Sequence, residues 1–394
     1  EKLDEAYDLY QAAAWQYAWR SASYYEIACI DCMKGNREKA IEYLRQSLET
    51  NVNHFAAKTL LGYLTKDEQM ILQVLDKAPQ DTFARFALML MNGRPVEDFI
   101  LERAEDVIDA ALDFARAGLK KEAEAVLLAC KKPTQMIYYH LERITGKETK
   151  SMSITRCFPN RLEDIPVLKK EEWQAKYLLG CLYYDRKNYA AAVEAWEQGV
   201  QLNPDDAFTL RNLAQAYFDH IGDTKKAHYL LQQAFEKAPD NPRILYELLQ
   251  LKKNIGVSVK DRIALLEAHL ELVVQRDDCY LDWIILYTQD GKFDKAHKLL
   301  LEKRFNIYEG GEGKLTKHHG WLFTLSGRKA HLEGRYEDAR NYYEQALIYP
   351  DNYGEGRHYS AQEANIYYFT GLMHEALGEK SMAEKAYVMA VNQP

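Results

Sequence analysis

The chain has 394 residues, and its 20 Gly and 10 Pro are fewer than usual for this length, which favours long, uninterrupted helices. A composition of 47% hydrophobic and 28% charged residues excludes the collagen-like, disordered and disulfide-scaffold classes, and no run of apolar residues is long enough to span a bilayer. The net charge of -8 is opposite in sign to the basic surface that nucleic-acid binding needs. We therefore expect an ordered, helical protein without nucleic-acid or membrane partners.

The first 145 residues carry short, irregular helical patterns. Ala6, Tyr10 and Ala13 have the spacing of the second (B) helix of a hairpin, with no first (A) helix before them. Such a helix exposes an apolar face, so we expect further protein upstream or an unusual cap, with a homodimer as the alternative. Cys29 and Cys32 form a CxxC pair inside a helical pattern, and we interpret them as packed thiols rather than as a zinc or redox site.

The helical period lapses between residues 146 and 170. A structureless stretch of this length is uncommon in a compact domain. We therefore predict three parts: an N-terminal block at 1–145, an irregular connector at 146–170, and a C-terminal block at 171–394.

A repeat follows the connector. Gly180, Tyr183, Ala192, Trp196 and Pro204 place a small residue, an aromatic residue, an alanine, a large apolar residue and a proline in a register that resembles the 34-residue tetratricopeptide repeat. The next copy contains Ala214, Tyr217, Ala227 and Pro239, with one insertion near Ile221, and weaker copies bring the total to seven units in one register. The small residue lets the two helices of a hairpin approach closely. The resemblance implies an all-α fold, an α-α superhelix (solenoid) of helical hairpins with a concave groove.

Four further segments, at residues 158–164, 276–280, 304–313 and 352–357, make the chain similar to a bacterial family of two-part proteins. Members of that family join an N-terminal β-rich domain, related to carbohydrate-active folds, to divergent tetratricopeptide repeats. The β-rich domain is not present in this sequence. The resemblance thus implies an upstream partner domain without supplying a reaction.

The groove offers the first candidate binding surface. Counting from Gly180 as the eighth place of its unit, we expect inward-facing side chains that suit an extended peptide or the face of a sugar. The arrangement that grips terminal carboxylates in other such repeats is not expected, because Tyr177 and Cys181 stand at two of its places and Glu247 follows Arg243. Packing between neighbouring A helices is the alternative role for each tyrosine. The predicted groove residues are Tyr177, Tyr184, Arg211, Gln215, Phe218 and Tyr246.

A duplicated tetrapeptide is the second candidate. Residues 311–314 read Gly-Glu-Gly-Lys and residues 354–357 read Gly-Glu-Gly-Arg, and each follows a B helix. Connections of this kind lie on one edge of a solenoid, so we expect the two loops to be close in space, with His318, His319 and Tyr359 beside them. Local turn formation and ion pairing are the alternative reading. The predicted binding residues here are Glu309, Glu312, Lys314, Glu355, Arg357 and His358.

No catalytic motif occurs in the sequence, and Glu309 and Glu312 as a glycosidase-like pair would lie on an edge open to water. The adjacent His318 and His319 lack the spacing of zinc ligands. We predict no enzyme activity, no cofactor and no metal, and leave the compartment open. The expected function is a scaffold for another protein or domain, and the alternative is an accessory region that completes the active site of an upstream carbohydrate-active domain.

Overall fold

A computed structural model describes residues 2–307, 309–358, 361 and 363–393. Within these ranges the regular elements are all helical and no strand occurs. The helices are α1 (Leu3–Ala13), α2 (Tyr17–Met33), α3 (Arg37–Thr50), α4 (Phe55–Thr65), α5 (Glu68–Lys77), α6 (Thr82–Asn92), α7 (Asp98–Leu101), α8 (Ala104–Arg116), α9 (Lys120–Leu128), α10 (Gln135–Thr145), α11 (Asp164–Leu168), α12 (Trp173–Asp185), α13 (Tyr189–Leu202), α14 (Ala207–Ala216), α15 (Thr224–Lys237), α16 (Pro242–Asn254), α17 (Val259–Glu267), α18 (Leu270–Val273), α19 (Asp277–Gln289), α20 (Phe293–Glu302), α21 (Lys314–Leu332), α22 (Tyr336–Gln345), α23 (Ala364–Ala376) and α24 (Lys380–Val391).

Consecutive helices pack as hairpins. The pairs α2–α3, α12–α13, α14–α15, α21–α22 and α23–α24 make the most extensive helix–helix contacts of the chain. The predicted all-α class of tetratricopeptide-like hairpins is confirmed. The chain divides into two compact units, Glu1–Asn203 and Pro204–Pro394.

Three glycines explain how the hairpins close. Each stands on an A helix against an aromatic ring of its B helix, where a Cβ atom would lie within 2.5 Å of the ring. The side chain that would separate the two helices is missing at these positions, so the ring can fill the space between them. The pairs are Gly180 with Trp196, Gly327 with Tyr343, and Gly371 with Tyr387.

The first unit contains the segment predicted as a connector. Residues 146–163 are irregular, but α11 follows them and packs against α10 and α12. Asp164 is buried, and its carboxylate accepts hydrogen bonds from Nε2 of His140 at 2.8 Å and from the backbone N–H groups of Asn160 and Arg161. The segment is therefore anchored within this unit, and the observed border between compact units follows Asn203. The division into blocks at 1–145, 146–170 and 171–394 stays a prediction.

The second unit shows where the insertion near Ile221 is accommodated. A π-helical turn, Tyr217–Ile221, extends α14 and ends at Gly222, which has φ of +81°. A π-helical turn holds one residue more than an α-helical one, so the repeat absorbs the extra residue without losing its register.

Helix α21 is longer at its start than the other A helices. Gly327 lies 13 residues after the first residue of α21, whereas Gly180 and Gly371 lie seven residues after the starts of α12 and α23. The extension, residues 314–319, leads directly out of the first glycine-rich loop.

Candidate functional site

The two glycine-rich loops are in direct contact in the second unit. The backbone N–H groups of Gly313 and Thr316 donate to the carboxylate of Glu355, at 2.9 and 3.4 Å. Gly313 is the N-cap of α21, and the first turn of this helix contains no acidic residue of its own. Glu355 therefore supplies the acceptor that the start of α21 lacks. We call residues 311–316 and 352–358 together the loop platform.

Asn352 and Tyr353 hold the second loop against the end of α20. The Asn352 side-chain amide donates to the carbonyl oxygens of Leu300, at 3.1 Å, and Lys303, at 2.8 Å. The backbone carbonyl of Asn352 accepts a hydrogen bond from the backbone N–H of Phe305 at 2.8 Å. The ring of Tyr353 is fully buried and meets the ring of Phe305 edge-on. The backbone of the platform is thus fixed by hydrogen bonds that are distant in sequence.

Three histidines lie near one another on α20 and α21, and their hydrogen-bond partners indicate their tautomers. With the Thr288 hydroxyl assigned as donor to the carbonyl of Ile284, Nε2–H of His318 donates to that hydroxyl, at 3.0 Å. By the same reasoning, Nε2–H of His297 donates to Ser326, whose hydroxyl donates to Leu322.

His319 joins the extension of α21 to the second loop. Its Nε2–H donates to the carbonyl of Gln345 at 2.9 Å, and its Nδ1 accepts from the Tyr353 hydroxyl at 2.7 Å. Burial lowers the pKa of His297, His318 and His319 to about 4. All three are therefore neutral at pH 7 and serve as clamps.

A cavity of about 370 Å³ opens beside the platform. The first loop and the extension of α21 form one wall, and the start of α23 forms the other. Trp321 lines it and is 53% exposed. The residues that line the cavity are Glu312, Gly313, Lys314, Thr316, Lys317, Gly320, Trp321, Thr324, Tyr349, His358, Ala361, Glu363, Asn365 and Ile366.

Trp321 is not among the predicted site residues, although the repeat register contains the signal for it. With Gly327 at the eighth place, Trp321 occupies the second place and Thr324 the fifth, and Asn365 has the second place before Gly371. The predicted groove residues belong only to the three units that begin with the unit of Gly180. The same inward-facing places on the later A helices α21 and α23 form part of the wall of the cavity.

The predicted loop residues have different surroundings. Glu312, Lys314 and His358 line the cavity, whereas Glu309 is exposed outside it. Glu355 accepts hydrogen bonds from the backbone at the start of α21, and Arg357 forms an ion pair with the buried Glu363 at 2.9 Å. These intramolecular contacts are the alternative that the sequence left open for Glu355 and Arg357. Tyr359 lies outside the described residues.

The predicted groove residues of the second unit line a second, smaller cavity. Arg211, Gln215 and Phe218 surround about 190 Å³ together with Glu247 and Gln250. The Arg211 guanidinium forms a two-pronged ion pair with Glu247, one contact of which measures 2.6 Å. Tyr246 does not line this cavity, and its ring lies under the guanidinium of Arg276 at 5.7 Å.

In the first unit, the predicted groove tyrosines contact their own hairpin. The ring of Tyr184 packs against Tyr189 and Trp196, with centroids 5.2 and 5.6 Å apart. Tyr177 is partly buried against the core, and its carbonyl accepts from Nε1 of Trp196 at 3.0 Å. A binding role for either tyrosine stays a prediction.

Metal ligands, reactive thiols and membrane-spanning helices are the other features that could carry a function. In the part of the chain that the structure describes, no group of three or more His, Cys, Asp or Glu is placed to hold a metal ion. The six cysteines carry free thiols, and burial raises the pKa of Cys32 to about 11 and that of Cys29 further. No helix among these residues has the length and apolar composition that crossing a membrane requires.

Comparison with known proteins identifies the repeat. A family model described as "TPR repeat" matches residues 180–220. This segment contains a tetratricopeptide repeat. A TPR repeat-containing protein of Methanocaldococcus jannaschii is 25% identical over 200 residues, which are 49% of this chain and 32% of that protein. The chain thus matches about a third of the length of this curated relative.

Solved structures with similar repeats include a tetratricopeptide repeat protein from Parabacteroides merdae, with 16% identity, a TM-score of 0.31, and coverage of 73% of this chain and 91% of that one. YrrB, described as a TPR protein with an unusual peptide-binding site, has 14% identity and a TM-score of 0.35 and covers 48% of this chain and 89% of its own. Yeast Tom70 has 14% identity and a TM-score of 0.30, and the match covers 99% and 97% of the two chains.

Proposed function

We propose that the chain is a non-catalytic scaffold that binds a segment of a partner protein in the cavity beside the loop platform. Tetratricopeptide repeats present surfaces for protein partners, and the residue that carries the proposal here is Trp321. Its ring is more than half exposed inside a concave site, where a partner can cover it. Aromatic residues in such positions supply much of the binding energy of protein interfaces.

The surroundings of Trp321 support binding without rearrangement. One wall of the cavity is held by the bonds from Gly313 and Thr316 to Glu355 and by the buried bond between His319 and Tyr353. A preorganised site loses little conformational entropy when a ligand binds. The loops therefore serve as the rigid frame of the site, and Glu312 and Lys314 provide polar groups at its margin.

The size of the cavity indicates what fits. Ligand pockets span about 300–1,000 Å³, so a cavity of about 370 Å³ takes a few side chains of a peptide rather than a folded domain. The smaller cavity at Arg211, Gln215 and Phe218 would extend the contact with the same partner. Use of these groove residues, and dimerisation through α1, remain predictions.

A second candidate is the accessory role for an upstream carbohydrate-active domain, as the likeness to the two-part family implies. Trp321 beside Glu312 and Asn365 favours it, because an aromatic ring with polar neighbours also suits the face of a sugar. Two results would support this candidate. The chain would bind to a glycan array, and Trp321→Ala in a longer protein that contains the upstream domain would alter glycan turnover.

Selection from a random peptide library on the immobilised full chain tests the main proposal. We expect enriched peptides to bind at least tenfold more weakly to Trp321→Ala than to the unaltered chain, since truncating an aromatic anchor costs about 2 kcal/mol of binding free energy. Tyr229→Ala is the matched control, because Tyr229 is 63% exposed and lies outside the cavity. Equal affinity for both variants, or no enrichment of any peptide, would refute the proposal.

A further inference from the structure

Gly320 lines the cavity beside Trp321 and narrows the kind of partner that fits there. Resting on the proposed function, we infer that Gly320 determines the specificity of the site. It leaves open a space in front of Ile366 that one large, uncharged apolar side chain of the partner segment fills. The same side chain covers the exposed ring of Trp321.

Packing between helices does not account for this glycine. At Gly327 and Gly371, a Cβ atom would lie within 2.5 Å of a tyrosine ring, so a side chain there would force a hairpin open. At Gly320, the nearest atom to a Cβ among the described residues would be Cδ1 of Ile366, at 3.7 Å. That distance is an ordinary van der Waals contact, so alanine would fit at this position.

The position of Gly320 within α21 makes the missing side chain a cost. Gly320 is the seventh of the 19 residues of α21. Glycine in a helix interior is less favourable than alanine or leucine, because it loses more backbone freedom on folding. A residue that weakens its own helix without a packing reason is expected at a functional site. Here the space that it leaves is part of the cavity.

The polar groups around this space are already bonded within the chain. The hydroxyl groups of Thr316 and Thr324 donate to backbone carbonyl oxygens of their own helix start and helix, at 3.3 and 2.6 Å. The Tyr349 hydroxyl donates to the buried carboxylate of Glu363 at 2.8 Å. An apolar side chain can therefore enter without breaking a hydrogen bond, whereas a polar one would give up its own bonds to water.

The charged groups at and beside the cavity cancel, three cations against three carboxylates, with histidine counted as neutral. They are Lys314, Lys317, Arg357, Glu312, Glu355 and Glu363. The local charge thus favours neither an acidic nor a basic ligand side chain. An uncharged apolar side chain is the chemistry that matches this balance and the exposed ring of Trp321.

Filling the space from the protein side tests the inference. The probe is a labelled synthetic copy of the peptide most enriched on the unaltered full chain, with versions in which each large apolar residue is replaced in turn by alanine. By fluorescence anisotropy, one of these replacements should weaken binding to the unaltered chain at least tenfold. Gly320→Leu should weaken the original peptide at least tenfold, and the same replacement should then have no further effect, because both changes remove one contact.

Thermal melts by circular dichroism separate this role from packing. The midpoints of Gly320→Ala and Gly320→Leu should be no lower than that of the unaltered chain, because both residues favour a helix more than glycine does. Gly320→Ala adds one methyl group and should weaken binding by a smaller factor than Gly320→Leu. Ala376→Leu is the matched control, since Ala376 is exposed at the end of α23 and outside the cavity, and it should bind unchanged.

The outcomes separate the inference from the proposed function. If Trp321→Ala weakens binding but neither Gly320 variant does, the inference is wrong and the proposed function stands. If both Gly320 variants lower the thermal midpoint, the glycine serves packing and the inference is overturned. If Gly320→Leu alone is unstable, Gly320→Ala decides, and equal affinity to the unaltered chain would overturn the inference. If no peptide is enriched, both are wrong.

Discussion

The two units use buried histidines in opposite ways. In the first unit, His140 is paired with the carboxylate of Asp164, and this pair anchors the segment before α12. In the second, His318 and His319 are hydrogen-bonded to hydroxyl and carbonyl oxygens under the loop platform. The first arrangement is an ionisable anchor, and the second is a neutral clamp. The comparison shows that the segment most irregular in sequence and the loops richest in glycine are both fixed, by different chemistry.

The largest expected effect is the removal of the ionisable anchor. Asp164→Ala leaves His140 and the backbone N–H groups of Asn160 and Arg161 without their buried acceptor. Loss of one partner from a buried pair costs about 3–5 kcal/mol. Pulsed hydrogen exchange of the full chain should show easier opening of α10 to α12 with little change in α21 to α23. Asp8→Ala, at an exposed position, is the control, and a loss below 1 kcal/mol for Asp164→Ala would contradict this account.

The next effect tests the hairpin that carries the neutral clamp. In Gly327→Ala, the new Cβ would lie 2.5 Å from the ring of Tyr343, so the hairpin α21–α22 must open. Overpacking of this kind costs about 1–3 kcal/mol. Gly356→Ala is the matched control in the same unit, because its Cβ would meet no atom within 4 Å. Similar urea midpoints for the two variants would show that the close approach is not required.

The third effect is the pH dependence that distinguishes the units. The clamp histidines titrate near 6.5 when unfolded and near 4 when folded, so the unfolded chain binds more protons in that window. The second unit should therefore lose stability as pH falls from about 6.5 towards 4. In the first unit, burial raises the pKa of Asp113 from 3.8 to about 7, so the contribution of this group to stability falls as pH rises from about 4 to about 7.

The stability of each unit is measured by urea titration at several pH values between 7 and 5. Hydrogen-exchange pulses, all given at one constant pH, report on the two units separately. His318→Gln keeps a donor for Thr288 but does not titrate, so the pH slope of the second unit should become smaller while His297 and His319 still contribute to it. An unchanged slope would mean that His318 does not contribute as a neutral clamp.

The sequence is sufficient to predict the parts of the fold that repeat. The spacing of Gly180 and Trp196 follows from the hairpin geometry, and the equivalent placement of the two glycine-rich loops indicated that they would be close. The bond from Gly313 to Glu355 and the pairing of His140 with Asp164 could not be predicted, because they join residues 42 and 24 positions apart that belong to no periodic pattern. The exposure of Trp321 likewise depends on the six-residue extension of α21, which only the folded chain reveals.

Binding at Trp321 is the central claim, and peptide affinity measures it most directly. Peptides selected on the full chain should be titrated by fluorescence anisotropy against the unaltered protein, Trp321→Ala and Tyr229→Ala. The account predicts that Trp321→Ala raises the dissociation constant at least tenfold without changing the thermal midpoint of the protein. Tyr229→Ala should bind the peptides with the same affinity as the unaltered protein. Equal dissociation constants for all three proteins would contradict it.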